Sequence, residues 1–279
     1  ALLSFSGCRD RKGYVSQLDK GDESFMPALE SQQMTDYSLN DICYGEHAGF
    51  VAVGNSGHIL FSADGRQWSH FKAAAVSLKA VCYGTAGFVA VGEGGVVLYS
   101  ADGKRWEPKG PGLTKADLKA VCASGRGYVA VGDSSAILYS ETGNTWTRVS
   151  SVPADAFLTD VFGSPMGFAA VGDSGTVLLS GSGAAGWKKA DIGANTAELN
   201  SVSGNENTFI VGGDDSTLFL LSAEGQITPA NQMNIGGEIS SVTRYKNLWL
   251  AGRKYGGIIY SADGINWRQA NLGAGERRV

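Results

Sequence analysis

The chain is short of proline, histidine and cysteine, and each shortage closes off a class of protein. Six prolines in 279 residues are too few for a polyproline segment or a proline-rich linker. His47, His58 and His70 are the only histidines. No Cys-x-x-Cys motif accompanies them, and their offsets of 11 and 12 residues place them on three different segments of one repeat, so no metal site is expected and they read as turn or surface residues. There is no excess of basic charge either. Lys and Arg number 23 against 27 Asp and Glu, a net charge of -4, which argues against a nucleic-acid partner that must neutralise phosphates. Nothing approaches the roughly 18 consecutive apolar residues of a membrane-spanning helix.

The four cysteines do not make a disulfide framework. Cys43, Cys82 and Cys122 recur about 40 residues apart at one position of a repeat, where later copies carry Phe162, Ser203 and Thr243. Equivalent positions of neighbouring units are too far apart for a bridge, which needs Cα atoms within about 7 Å. They read as small buried hydrophobes. Cys8 differs. Ala1-Leu-Leu-Ser-Phe-Ser-Gly-Cys8, followed by Arg9-Asp10-Arg11-Lys12, resembles the end of a bacterial lipobox. That resemblance implies acylation of Cys8, export to the periplasmic or extracellular side, and membrane association through a lipid anchor alone.

Glycine is abundant. Forty glycines are roughly twice the usual share and suit many tight turns between short strands. The stretch Gly49–Trp68 returns almost verbatim as Gly87–Trp106 and recognisably four more times. The glycine closing the second strand is placed at Gly54, Gly92, Gly132, Gly172, Gly212 and Gly252, in steps of 38, 40, 40, 40 and 40 residues. Runs of four to six residues rich in Val, Ile, Phe and Tyr, bounded by Gly, Asp and Ser, read as strands, and no long window has a helical period. A period near 40 with four such runs predicts an all-β single propeller of six four-stranded blades. Residues 1–8 read as the residual signal segment, and 9–38 as tether and lead-in. The repeats read as 39–77, 78–117, 118–157, 158–198, 199–238 and 239–279. Repeat five is read with two extra residues between Gly212 and Ser222, and repeat six with one extra in Gly252–Gly257.

Closure is the awkward point. Trp267-Arg-Gln-Ala270 already supplies the last outer strand, so Phe25-Met-Pro-Ala28 either adds a strand at the seam or displaces it. Seven blades are the alternative, but residues 9–38 are too short for four strands.

Five of the six outer hairpins carry a tryptophan at their turn, and repeat five has Ile227 in that slot. Full copies are Ser62, Asp64, Gly65, Trp68; Ser100, Asp102, Gly103, Trp106; and Ser261, Asp263, Gly264, Trp267. Degraded copies lead to Trp146 and Trp187. Ser and Asp are expected to accept turn N–H groups, Gly to take positive φ, and Trp to pack back on the hairpin. These turns resemble the Asp-box of bacterial-neuraminidase-type repeats, with one residue fewer between Asp and Gly. The chain also resembles the photosystem II stability/assembly factor group of propellers. The Phe-Arg-Ile-Pro motif of sialidases is absent, the arginines fall mostly in the tether, the variable turns and the C-terminal tail, and no catalytic residue, cofactor or metal is assigned. Asn55, Glu93, Asp133, Asp173, Asp214, Asp215, Arg253 and Lys254, between second and third strands, are the candidate partner-binding face. Turn formation alone also accounts for the Asn and Asp among them. Lys79 and Lys119 are candidates to point toward the channel. The function expected is a non-enzymatic protein-binding or assembly module of a bacterial envelope. The alternatives are a carbohydrate-binding or glycoside-hydrolase propeller and a divalent-cation-binding structural domain.

Overall fold

The computed structural model describes residues 38–153, 155–194, 196–231 and 236–271. Six antiparallel meanders of four strands follow one another. Blade 1 is β1 (Leu39–Gly45), β2 (Gly49–Gly54), β3 (His58–Ser62) and β4 (Ser69–Lys72). Blade 2 is β5 (Leu78–Gly84), β6 (Gly87–Gly92), β7 (Val97–Ser100) and β8 (Glu107–Pro108); blade 3 is β9 (Leu118–Ser124), β10 (Gly127–Gly132), β11 (Ile137–Ser140) and β12 (Thr147–Arg148). Blade 4 is β13 (Leu158–Ser164), β14 (Gly167–Gly172), β15 (Val177–Ser180) and β16 (Lys188–Lys189); blade 5 is β17 (Leu199–Gly204), β18 (Phe209–Gly213), β19 (Leu218–Leu221) and β20 (Ile227–Pro229). Blade 6 is β21 (Ile239–Tyr245), β22 (Leu248–Arg253), β23 (Ile258–Ser261) and β24 (Arg268–Gln269). This is the predicted all-β propeller of six four-stranded blades.

Two-sided burial explains the sequence of the second strands. Gly87-Phe-Val-Ala-Val-Gly92 is buried throughout, because alternate residues face alternate neighbours. Phe88 and Ala90 pack toward blade 1, and Val89 and Val91 toward blade 3. A strand covered on both faces needs a continuous apolar run rather than an alternating one. Each of the five junctions between consecutive blades holds one such cluster. Cys43, Cys82 and Cys122 are buried thiols in the first three.

The register corrects the spacing read from the glycines. The residue opposite the first residue of each first strand is Gly54, Gly92, Gly132, Gly172, Gly213 and Arg253. Gly212 and Gly252 stand one place earlier, where blade 2 has Val91. With this register the loops of blades 5 and 6 match those of blade 2 in length, and the inserted residues assigned to them disappear. The extra residue lies instead in blade 4, where Trp187 bonds back four residues to Gly183 rather than three. Gly-Gly at 212–213 hid the slip, because either glycine fits a turn and only pairing distinguishes them. Among the closure options, β24 remains paired with β23. Phe25–Ala28 lies outside the described residues, as does Cys8.

Candidate partner-binding face

The second residue of every first strand is skipped in the pairing: Asn40, Lys79, Lys119, Thr159, Asn200 and Ser240 are bulged. A bulge bends the strand and re-aims a side chain. Here it turns each one to the end of the blades that carries the loops between second and third strands. Asn40 donates to Asn55 Oδ1 (3.0 Å) and to the Leu78 carbonyl of blade 2 (2.7 Å). Asn200 does the same to Asp214 Oδ1 (2.8 Å) and the Ile239 carbonyl (3.0 Å). Thr159 donates to the Leu199 carbonyl, and Ser240 to the Gly252 carbonyl (3.1 Å). Lys79 pairs with Glu93 (2.8 Å) and Lys119 with Asp133. Strict alternation could not assign the facing of these two lysines because the bulge breaks it.

The loop residues fall into one equivalent set. The backbone N–H of Asn55, Glu93, Asp133, Asp173, Asp214 and Lys254 donates to the carbonyl just ahead of its own blade's first strand. Asp215 and Arg253 flank this ring. Asp215 holds a left-handed φ of 53°, and Arg253 Nη1 donates to the Gly236 carbonyl (2.9 Å). Several carboxylates are engaged within the fold. Glu93 accepts from Lys79 and from the Ser77 N–H, which hold it below the ordinary carboxylate range. Asp173 accepts from the Phe157 N–H (2.9 Å). Lys254 pairs with Glu238 (2.6 Å), which raises the lysine above its usual value. The ring is therefore a set of caps and ion pairs more than an open acidic rim.

Among the described residues two large aromatic side chains are exposed at this end, with Ile258 at the start of β23 near the second. Phe157 is 52% exposed and Tyr255 is 89% exposed. Each has a lysine over its ring, Lys119 at 5.6 Å and Lys254 at 6.0 Å. The sequence reading missed Tyr255, whose signal was an aromatic inside a turn of glycines and charges.

At the opposite end sit the tryptophan turns. Ser62 Oγ accepts the Gly65 N–H (2.8 Å), and Asp64 Oδ1 accepts the N–H groups of Arg66 and Gln67. The Asp102 and Asp263 turns repeat this geometry with Ser100, Gly103, Ser261 and Gly264. The indole N–H of Trp68, Trp106, Trp146, Trp187 and Trp267 donates to the carbonyl of the turn glycine. These bonds are wholly local to each turn. His58 and His70, read as incidental, are cross-strand neighbours with stacked rings and Nδ1···Nε2 at 2.6 Å. Among the described residues no three His, Cys, Asp or Glu side chains gather as a metal site.

No protein-family model matches the sequence, and no curated protein matches it. Solved structures do. YCF48 from Cyanidioschyzon merolae is 18% identical with a TM-score of 0.65, covering 85% of this chain and 86% of that one. A structure of YCF48 bound to D1 peptide is 16% identical with a TM-score of 0.62, covering 88% and 87%. The structure of U3-55K is 9% identical with a TM-score of 0.68, covering 86% and 82%. At these identities the likeness is one of fold: the chain shares the β-propeller architecture of these structures.

Proposed function

We propose that the protein is a non-enzymatic propeller that binds a protein partner and serves in assembly. We assign it to the outer side of a bacterial membrane, exported and tethered through an acylated Cys8. The observation that carries the binding reading is the loop end. It presents Phe157 and Tyr255, each beside a lysine that is itself paired to a carboxylate. Exposed aromatics set among fixed charges are the usual anchors of protein interfaces. The rigid blades beneath hold them without an ordering cost at binding. A propeller of the same fold has been captured with a D1 peptide, which supports a peptide segment as the class of partner.

The test is capture of the native full-length chain from solubilised membranes. A stoichiometric protein should co-purify, and the intact mass of the bait should start at Cys8 and include acyl groups. Phe157→Ala combined with Tyr255→Ala should cut the co-purified partner at least tenfold with the melting temperature unchanged. Undiminished capture by the double variant sinks the assignment of this face.

A further inference from the structure

Five junctions for six blades leave one pair of faces without a neighbour. First strands pack side by side from β1 through β5, β9, β13 and β17 to β21, but β21 has no comparable packing on β1. Among the described residues no apolar cluster joins blade 6 to blade 1. Equivalent positions show what this uncovers. Leu78, Val81, Phe88 and Leu98 of blade 2 are buried against blade 1. Their counterparts Leu39, Ile42, Phe50 and Leu60 are only half-buried. Trp146 is 5% exposed and Trp68 is 37% exposed. On the other side of the gap, Ile258 is 41% exposed where blade 2 has Val97 at 2%. Of the six exposed large hydrophobics described, only Phe157 lies away from blades 1 and 6. Apolar faces of this kind are built to be covered.

We propose that residues 14–29 of the chain's own lead-in, which lie outside the described residues, are the segment that covers this seam on the open face of blade 1. The argument is first one of position. The chain enters blade 1 at Ser38, whose carbonyl accepts the Asn55 N–H at the loop end, so everything before it leaves from the edge of the seam. It is then one of spacing. In four of five junctions nine residues separate the outer strand of one blade from the first strand of the next. The same count back from Leu39 reaches Leu29, the end of Phe25-Met-Pro-Ala-Leu29. Before this comes Asp19-Lys-Gly-Asp22, with the Asp and Gly of a turn, and before that Tyr14-Val-Ser-Gln-Leu18. In sequence, the two apolar runs and the turn-type residues between them thus have the spacing of the outer hairpins in most of the other blades. The consecutive pairs Tyr14-Val15 and Phe25-Met26 suit a strand wedged between two apolar faces. A tethered segment also reaches the seam at an effective concentration that a free partner or a second copy must exceed.

Hydrogen–deuterium exchange on the full chain tests this, with its mass in solution measured in parallel. The expected result is a monomer in which amides of residues 14–29 exchange at least tenfold more slowly than in the isolated 1–37 peptide. Phe25→Asp should abolish that protection and speed exchange in Leu39–Phe50, while Phe157→Asp should do neither. Free-chain exchange of residues 14–29 in a monomer would overturn the proposal. So would a dimer that Trp68→Asp dissociates, because the second copy would then be the cover. The partner-binding reading is tested separately through Phe157, which lies ahead of β13 of blade 4 and away from the seam that Tyr255 of blade 6 borders.

Discussion

The tryptophan of a turn can do two jobs, and Trp146 separates them. Its ring is 5% exposed and packs in the junction between blades 2 and 3, while its indole N–H donates to the Gly143 carbonyl at 2.8 Å. Trp146→Ala removes both and opens a cavity, a change that costs about 3–5 kcal/mol in buried positions. Trp146→Phe keeps most of the apolar area but leaves the Gly143 carbonyl without its partner, at about 1–3 kcal/mol. Urea denaturation of the two variants should therefore rank them in that order. Equal losses would mean that the indole N–H bond, and not the packing, holds the turn. The degradation of the Ser-x-Asp part of this turn in blade 3 fits the ranking. Asp is lost there, yet Ser140 Oγ still accepts the Gly143 N–H and the tryptophan is retained.

At the scale of the element, the turn glycine is fixed by the neighbouring blade as well as by its own conformation. Gly103 has φ of +74°, and a Cβ there would lie 2.7 Å from a ring carbon of Phe61 and 3.0 Å from Val51 Cγ2, both of blade 1. Gly103→Ala combines a left-handed backbone cost of about 1–2 kcal/mol with overpacking of about 1–3 kcal/mol. An unchanged urea midpoint would show that the blades part easily enough to admit the methyl group. What was legible in sequence follows the same division between local and distant causes. Strands, turns and the number of complete blades were readable because each is fixed within about 20 residues. The register of blades 5 and 6 was not, since Gly212 and Gly213 satisfy the same local pattern and only the partner strand chooses. Nor was the role of the candidate ring: Lys79 and Lys119 reach Glu93 and Asp133 through bulges that alternation does not foresee. The His58–His70 pair was hidden because it depends on hairpin register across the Ser62–Trp68 turn.

At the scale of the whole molecule, junctions are sewn by carboxylates as well as by apolar packing, and this sets a pH dependence. Asp160 of blade 4 accepts the Val202 N–H (2.8 Å) and the Ser201 hydroxyl (3.1 Å) of blade 5. Burial pushes its carboxyl up to about 6, and the hydrogen bonds from Val202, Val161 and Ser201 only partly offset it. The folded value lies above the roughly 4 of an unfolded aspartate, so the folded chain takes up the proton first. Stability from this group therefore increases as pH falls from about 7 to about 4, by about 1–3 kcal/mol. His58 opposes it in part of that window. Desolvation, then His70 and Lys72, hold the imidazole below its ordinary value, so its contribution is lost as pH falls below about 6.5. The turn carboxylates Asp64, Asp102 and Asp263 are held low, chiefly by backbone N–H groups. They stabilise above about pH 4, and that contribution disappears in stronger acid. Comparing wild type with Asp160→Asn cancels the histidine and turn effects. Asparagine keeps the shape but does not titrate, so the difference in urea midpoint between the two chains should widen in favour of wild type from pH 7.5 to 5. Below pH 4 it should stay constant. A difference independent of pH throughout would show that the Asp160 carboxyl titrates as it does in the unfolded chain, and that the junction between blades 4 and 5 does not sense protons.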